Sequence, residues 1–142
     1  LPLSDEENAP RIRGYIDVVG DGYIIDWKTN RVAYNVRDNY QLMLYAWAMN
    51  QLYGWHEVSS SLYFLRFKEP RTELFGLTDM EEAREWAYGL AREIQAKLSI
   101  VEAMPELKNE LFPATPQNFC SHCPIAYECY SVFSPFSPIV NR

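Results

Sequence analysis

The dipeptide Asp21-Gly22 constrains this chain more than any other feature, because it lies between two runs that alternate like strands. The first run is Arg13-Gly-Tyr-Ile-Asp17-Val-Val-Gly20 and the second is Tyr23-Ile-Ile-Asp26-Trp-Lys28-Thr29. A two-residue type I′ turn needs φ > 0 at both central positions, which Asp-Gly supplies, so the runs read as a hairpin. Gly20 then faces Tyr23, and counting outwards sets Asp17 opposite Asp26. Strand alternation places Asp17, Asp26 and Lys28 on one face, with Ile16, Val18, Ile25 and Trp27 on the other. A three-residue loop would instead set Asp17 against Ile25 and send the two carboxylates to opposite faces.

Like charges facing each other across a ladder destabilise it, with Cβ atoms only about 5 Å apart. A divalent cation reverses the sign of that interaction, since Mg²⁺ sits about 2 Å from its oxygen ligands and commonly takes one or two carboxylates. A lysine on the same face can hold a water or a phosphate oxygen beside the metal. Asp, Asp and Lys so arranged suit phosphodiester hydrolysis. The competing reading is an ordinary solvated strand face on which Lys28 is the salt-bridge partner of the acids.

The 142 residues suffice for one domain with its own core. No apolar run is long enough to span a membrane and no signal-peptide pattern is visible, so the cytoplasm is the default location. The chain begins with Leu rather than Met, as a fragment of a longer protein would. Its net charge of −6 argues against a broad basic surface for nucleic acid. The charge is uneven, however. Residues 11–71 carry eight Lys/Arg against six Asp/Glu, so the hairpin sits in the least acidic part of the chain. DNA, if bound, would be held by a few local contacts and the metal.

Residues 1–10 read as a loose acidic leader. After the hairpin and a turn at Asn30-Arg31, a helix is expected with Asp38 as N-cap, Gln41 completing a capping box and Gly54 at C′. It is apolar nearly all round and should be mostly buried on a sheet. Gln41 and Tyr45 share one face of it near its start. They read either as a capping residue and a core aromatic, or as side chains reaching the hairpin face. Residues 58–67 read as a strand that becomes fully buried towards its end. Lys68–Arg71 with Pro70 reads as a turn, with Arg66, Lys68 and Arg71 solvated, and Thr72–Leu77 as a further strand. A long amphipathic helix follows, with Thr78 and Glu81 as its capping box and a stripe of Ala83, Trp86, Ala87, Leu90, Ile94, Leu98 and Val101.

From Pro105 the chain turns proline-rich and irregular. All three cysteines lie there, as Cys120-x₂-Cys123-x₅-Cys129. In a cytosolic setting such clustering points to a metal or Fe–S cluster rather than to disulfides. Such sites take four ligands, and His122, between two of the cysteines, is awkwardly placed to be the fourth. Free thiols in a loop remain the other reading.

The order Gly14-Tyr-Ile-Asp17, Asp26-Trp-Lys28-Thr29, Gln41-x₃-Tyr45, Cys120-x₂-Cys123-x₅-Cys129 resembles the PD-(D/E)XK nuclease superfamily, in particular the RecB/AddB-like exonucleases that carry an Fe–S cluster. The resemblance spans about residues 11–130. It implies that Asp17, Asp26 and the carbonyl of Trp27 ligate Mg²⁺ or Mn²⁺. It implies that Lys28 positions and helps deprotonate the attacking water, and that Gln41 and Tyr45 orient Lys28 and the DNA strand. Cys120, Cys123 and Cys129 would be three of four ligands to a [4Fe–4S] cluster. Two features of that family are missing from this sequence: an upstream helix bearing a metal-contacting His or Glu, and an upstream cysteine as the cluster's first ligand.

The expected fold is α/β, a mixed central β-sheet flanked by helices in a restriction-endonuclease-like core, with an irregular cysteine-bearing C-terminal tail. The expected parts are a leader at 1–10, a nuclease core at 11–104 and a tail at 105–142. The expected function is metal-dependent exonucleolytic cleavage of DNA at single-stranded or frayed ends, in repair, recombination or phage- or CRISPR-type processing, with helicase or recombination proteins as partners and no membrane. Tyr15, Tyr40 and Trp27 would be available to stack on unpaired bases. The alternatives are a catalytically silent DNA-binding or docking module of a larger nuclease complex, and a small zinc scaffold using the cysteines and His122.

Overall fold

The hairpin forms in the expected register. In the computed structural model of the chain, β1 (Val18–Gly20) pairs antiparallel with β2 (Tyr23–Lys28), with Gly20 opposite Tyr23 and Val18 opposite Ile25. The structure describes residues 1–127 and 129. The turn differs from the expected I′ form: Gly22 has φ 74°, but Asp21 stays at negative φ. One left-handed residue is enough to close this turn, and glycine is the one that takes it without strain.

A parallel neighbour for β2 requires a crossover connection, which α1 (Gln41–Tyr53) supplies. β3 (Glu57–Phe64) then lies parallel to β2, and β4 (Glu69–Gly76) returns antiparallel to β3. The sheet is mixed, in the order β1-β2-β3-β4, and is flanked by α1 and by α2 (Leu77–Ala103). Along β3 the burial alternates strictly, with Val58, Ser60, Leu62 and Phe64 inward, so this strand is half-buried throughout rather than fully buried at its end. These residues join Ile24, Phe75, the inner faces of α1 and the start of α2 in one core. Because side chains alternate, Asp26 and Lys28 share the face of Ile24 and point towards α1. Asp26 and Lys28 are therefore on the covered face, whereas Asp17 is exposed.

Four sequence-based expectations need correction. Residues 1–10 are not loose: Pro2 bridges Arg11, the Leu3 amide donates to the Pro10 carbonyl at 2.9 Å, and Leu3 is buried in the core. Asp38 does not cap α1. It closes a short 3-10 turn, Val36–Asp38, by accepting the Asn35 amide at 2.8 Å, and α1 starts three residues later with Asn39 Oδ1 on the Gln41 amide. Pro70 lies inside β4 opposite Tyr63, while the turn is at 65–68 with Lys68 at φ 52°. Proline is tolerated there because β4 is an edge strand, where a missing N–H disturbs no neighbour. Finally, α2 begins at Leu77, and its start is held by Asp79 accepting the Gly76 amide at 3.0 Å, not by Thr78 and Glu81. Gly54 does end α1 as expected, at φ 72° with its amide on the Asn50 carbonyl.

The chain divides into two compact units, residues 1–92 and 93–142, and the division falls within α2. In the first unit Met80, Ala83 and Ala87 of α2 are buried, whereas Trp86 and Leu90 of the expected stripe are substantially exposed. The second unit, where described, holds the end of α2, a one-turn α3 (Lys108–Leu111) and short 3-10 turns. Residue 128 and residues 130–142 of the expected tail lie outside the described residues. No described helix is long and apolar enough to cross a membrane.

Asp79 joins the start of α2 to Arg37, whose guanidinium lies 2.8 Å from its carboxylate. Burial pushes the Asp79 carboxyl up, but the Arg37 guanidinium and the Gly76 amide outweigh it and hold the group below its ordinary 3.8. A carboxylate depressed in the folded state stabilises it above the unfolded value and loses that effect as pH falls through the folded one. Asp79→Ala should therefore cost about 1 kcal/mol at neutral pH. In urea titrations across pH, the gap from wild type should narrow below about pH 4. A gap that stays constant into strong acid would contradict this role.

Candidate active site

β2 ends where β1 has already stopped. The β1–β2 ladder runs only as far as Val18 and Ile25, so Trp27 has no partner on that side. On the other side Gly22 and Lys28 direct their carbonyls to the amides of Ser59 and Leu65, at 3.0 Å each. Even-numbered residues of β2 thus bond β3, and the Trp27 amide and carbonyl face the β1 side. Asp17 fills part of this gap. Its carboxylate, one residue beyond the ladder, accepts the Trp27 amide at 2.8 Å. The tight turn is what places Asp17 beside the Asp26–Trp27–Lys28 segment.

On the covered face, a side-chain network ties β2 to the first turn of α1. Lys28 Nζ lies 2.7 Å from Asp26 Oδ2 and donates to Gln41 Oε1 at 2.8 Å. Gln41 Nε2 donates to Asp26 Oδ1 and to the Tyr45 hydroxyl, both at 3.2 Å. Gln41 therefore does not turn back to cap its helix. Its amide is the hub of the site, accepting from the ammonium and donating to the carboxylate and the phenol. Gly14 makes room for this arrangement, since a Cβ there would lie 3.2 Å from Tyr45 Cε1.

Asp26 is only 5 % exposed; Gln41 Nε2 donates to its Oδ1, and the Lys28 ammonium lies 2.7 Å from its Oδ2. A buried carboxylate is costly unless it is paired, and here the ammonium is its partner. The oxygen donors at this end of β2 are the carboxylates of Asp17 and Asp26 and the Trp27 carbonyl, the hard set that Mg²⁺ or Mn²⁺ prefers. Among the described residues no group of three or more His, Cys, Asp or Glu gathers as a metal site. Mg²⁺ commonly takes only one or two carboxylates and keeps several waters.

Lys28 is partly buried, and burial lowers its pKa, but the Asp26 carboxylate outweighs that effect and the net shift is upward from 10.5. Lys28 is thus an ammonium at neutral pH. It donates hydrogen bonds and carries charge beside Asp26. Tyr34 contributes to the same upward shift through its hydroxyl. Its ring stands edge-on to Phe64 at 5.4 Å, and Phe64 is the ladder partner of Lys28. Sequence reasoning missed Tyr34, which no spacing or motif marked.

The remaining candidates lie elsewhere. Trp27 points to the other face of the sheet, edge-on to Tyr63 at 5.1 Å. Tyr40 stacks on Trp86 at 4.7 Å and donates to Glu82, so it packs α1 against α2 rather than offering a free face to a base. Tyr15 is 72 % exposed, with the Arg13 guanidinium over its ring. Cys120, Cys123 and Cys129 are free thiols, and His122 bonds the neighbouring Ser121 hydroxyl; the structure does not gather them around a common centre.

The hub role of Gln41 predicts an order of stabilities. Gln41→Leu removes partners from an ammonium and a buried carboxylate and should destabilise by about 1.5–3 kcal/mol. Tyr45→Phe removes one neutral hydrogen bond and should destabilise by about 0.5–1.5 kcal/mol. Denaturant titration would measure both, and the reverse order would contradict the geometry.

The profile of the PD-(D/E)XK nuclease superfamily matches residues 4–130. No curated protein and no solved structure matches the chain significantly. The match covers both units' described parts almost entirely and includes the Asp17, Asp26, Lys28, Gln41 and Tyr45 cluster. Its members are in general metal-dependent nucleases, and the mixed four-stranded sheet with flanking helices is consistent with their restriction-endonuclease-like fold. With this fold and this match, the chain belongs to the PD-(D/E)XK nuclease superfamily.

Proposed function

We propose that this chain is a deoxyribonuclease core that hydrolyses phosphodiester bonds with Mg²⁺ or Mn²⁺, working from single-stranded or frayed DNA ends. The observation that carries the reading is the buried Asp26 carboxylate held between Lys28 and Gln41, with the Asp17 carboxylate on the amide of the intervening Trp27. Asp17, Asp26 and the Trp27 carbonyl would hold the metal. When bound, it supplies a Lewis acid and an acidified water.

The chain's own residues do the positioning. Lys28, as an ammonium, holds a phosphate oxygen or the attacking water by donating to it, and offsets negative charge as it builds on phosphorus. Gln41 fixes the Lys28 rotamer through the 2.8 Å bond and steadies Asp26 through the 3.2 Å bond. Tyr45 holds the other end of the Gln41 amide. Such fixed donors matter because misplacement of a reacting group by even about 1 Å can slow a reaction about 100-fold. The exonucleolytic mode, a place in repair, recombination or CRISPR-type processing, and a cluster on Cys120, Cys123 and Cys129 with a fourth ligand from outside this chain belong to the same proposal.

End-labelled linear single-stranded DNA should be degraded in Mg²⁺ or Mn²⁺ and spared in chelator, and a circular single strand should resist. Lys28→Ala and Asp26→Asn should each lower the rate by about 100- to 1,000-fold. Degradation that survives both substitutions would place the chemistry elsewhere. Binding without any degradation would favour a catalytically silent module.

A further inference from the structure

Beside the Asp26–Lys28 cluster runs a groove of about 570 Å³, within the range of about 300–1,000 Å³ usual for ligand sites. One wall is the irregular segment at residues 11–16; the other is the flank of α1 carrying Leu44, Ala48 and Leu52. At one end the lining includes Gln41 and Tyr45, the two residues that brace Lys28 and Asp26. The groove is therefore continuous with the candidate site.

Its floor and walls are mainly apolar, and Arg11 and Arg13 also line it. Both arginines are exposed, and among the described residues neither forms a salt bridge. In a chain of net charge −6, Arg37, Arg71 and Arg84 each have a carboxylate partner, whereas Arg11 and Arg13 line the same groove without one. Two guanidiniums left without acids on one groove are complementary to a polyanion. Arg13 is also held in place, since its guanidinium lies over the Tyr15 ring at 5.3 Å and bonds the Tyr15 hydroxyl.

We propose that this groove is the track along which a single nucleic-acid strand runs to the scissile position, with Arg11 and Arg13 on its phosphates and its bases against the aliphatic flank of α1. The inference rests on the nuclease reading given above and adds where the strand lies. A single strand has flexible, unpaired bases that can be laid on apolar side chains while the backbone stays at the charged rim. A duplex keeps its base faces stacked inside, where this flank could not reach them. The groove thus accounts for a preference for single-stranded ends through packing as well as through charge.

The test separates binding from cleavage. Fluorescence anisotropy of a labelled single-stranded oligonucleotide, in chelator and over a range of salt, would compare wild type with Arg11→Gln/Arg13→Gln. A control variant, Arg92→Gln/Lys108→Gln, removes the same charge from exposed positions that do not line the groove. The groove variant should bind about 10-fold more weakly, and its slope of log affinity on log salt should fall by roughly 1.4, about 0.7 for each lost phosphate contact. The control should keep at least most of the wild-type affinity and slope. Equal losses in the two variants, or no loss in the groove variant, would overturn the proposal. Failure of the nuclease reading would appear separately, as absence of metal-dependent cleavage by the wild type while these binding results stand.

Discussion

A buried carboxylate is the constraint on which the rest of this structure turns. Asp26 lies on the covered face of the sheet, with Lys28 beside it and Gln41 spanning both. Ionised groups are rarely buried unless paired, and removing one partner of such a pair typically costs about 3–5 kcal/mol. The fold accepts this unfavourable placement next to an otherwise apolar core of Ile24, Leu42, Leu62 and Phe64. Hydrophobic side chains of the same size would stabilise the sheet at least as well. A carboxylate kept there beside an ammonium points to a role for the pair other than stability, which the proposed cation site would supply.

Topology explains how so small a unit assembles the site. The two-residue turn at Asp21-Gly22 sets Asp17 beside Trp27, and the early end of β1 leaves the Trp27 backbone open to it. The crossover through α1 brings a helix start over the end of β2, which lets Gln41 and Tyr45 reach Lys28 and Asp26. Each of these placements depends on a backbone feature: a glycine at positive φ, a ladder that stops, a close approach at Gly14. The raised pKa of Lys28 follows from the same packing, because the acid nearest to it is held in place by Gln41.

Much of this was legible in the sequence because it rests on period-two alternation and a two-residue turn. Those signals gathered Asp26 and Lys28 on one face; Asp17, expected opposite Asp26 on that face, lies exposed beyond the ladder with its carboxylate on the Trp27 amide. The helix end at Gly54 and the mixed α/β class followed from similar local patterns, whereas the strand order came only with the structure. What failed was local chemistry with two valid outcomes. Asp38 and Gln41 fit a capping box, but the chain satisfies that spacing with a 3-10 turn and sends Gln41 into the site instead. Pro70 reads as a turn until an edge strand tolerates it. Tyr34 and the buried Leu3 were invisible, because their importance comes from tertiary neighbours that no spacing reveals. The side of the hairpin that α1 would cover was likewise undetermined until the helix was placed.

The central claim is that Asp17 and Asp26 form a shared cation site at the end of β2, so divalent-ion binding tests it most directly. Titrating the protein with Mn²⁺, followed by the loss of the free-ion electron paramagnetic resonance signal, should show a site in the wild type. Asp17→Asn and Asp26→Asn should each weaken it by at least about 10-fold while the fold, by circular dichroism, is kept. Mn²⁺ binding unchanged in both folded variants would contradict the account.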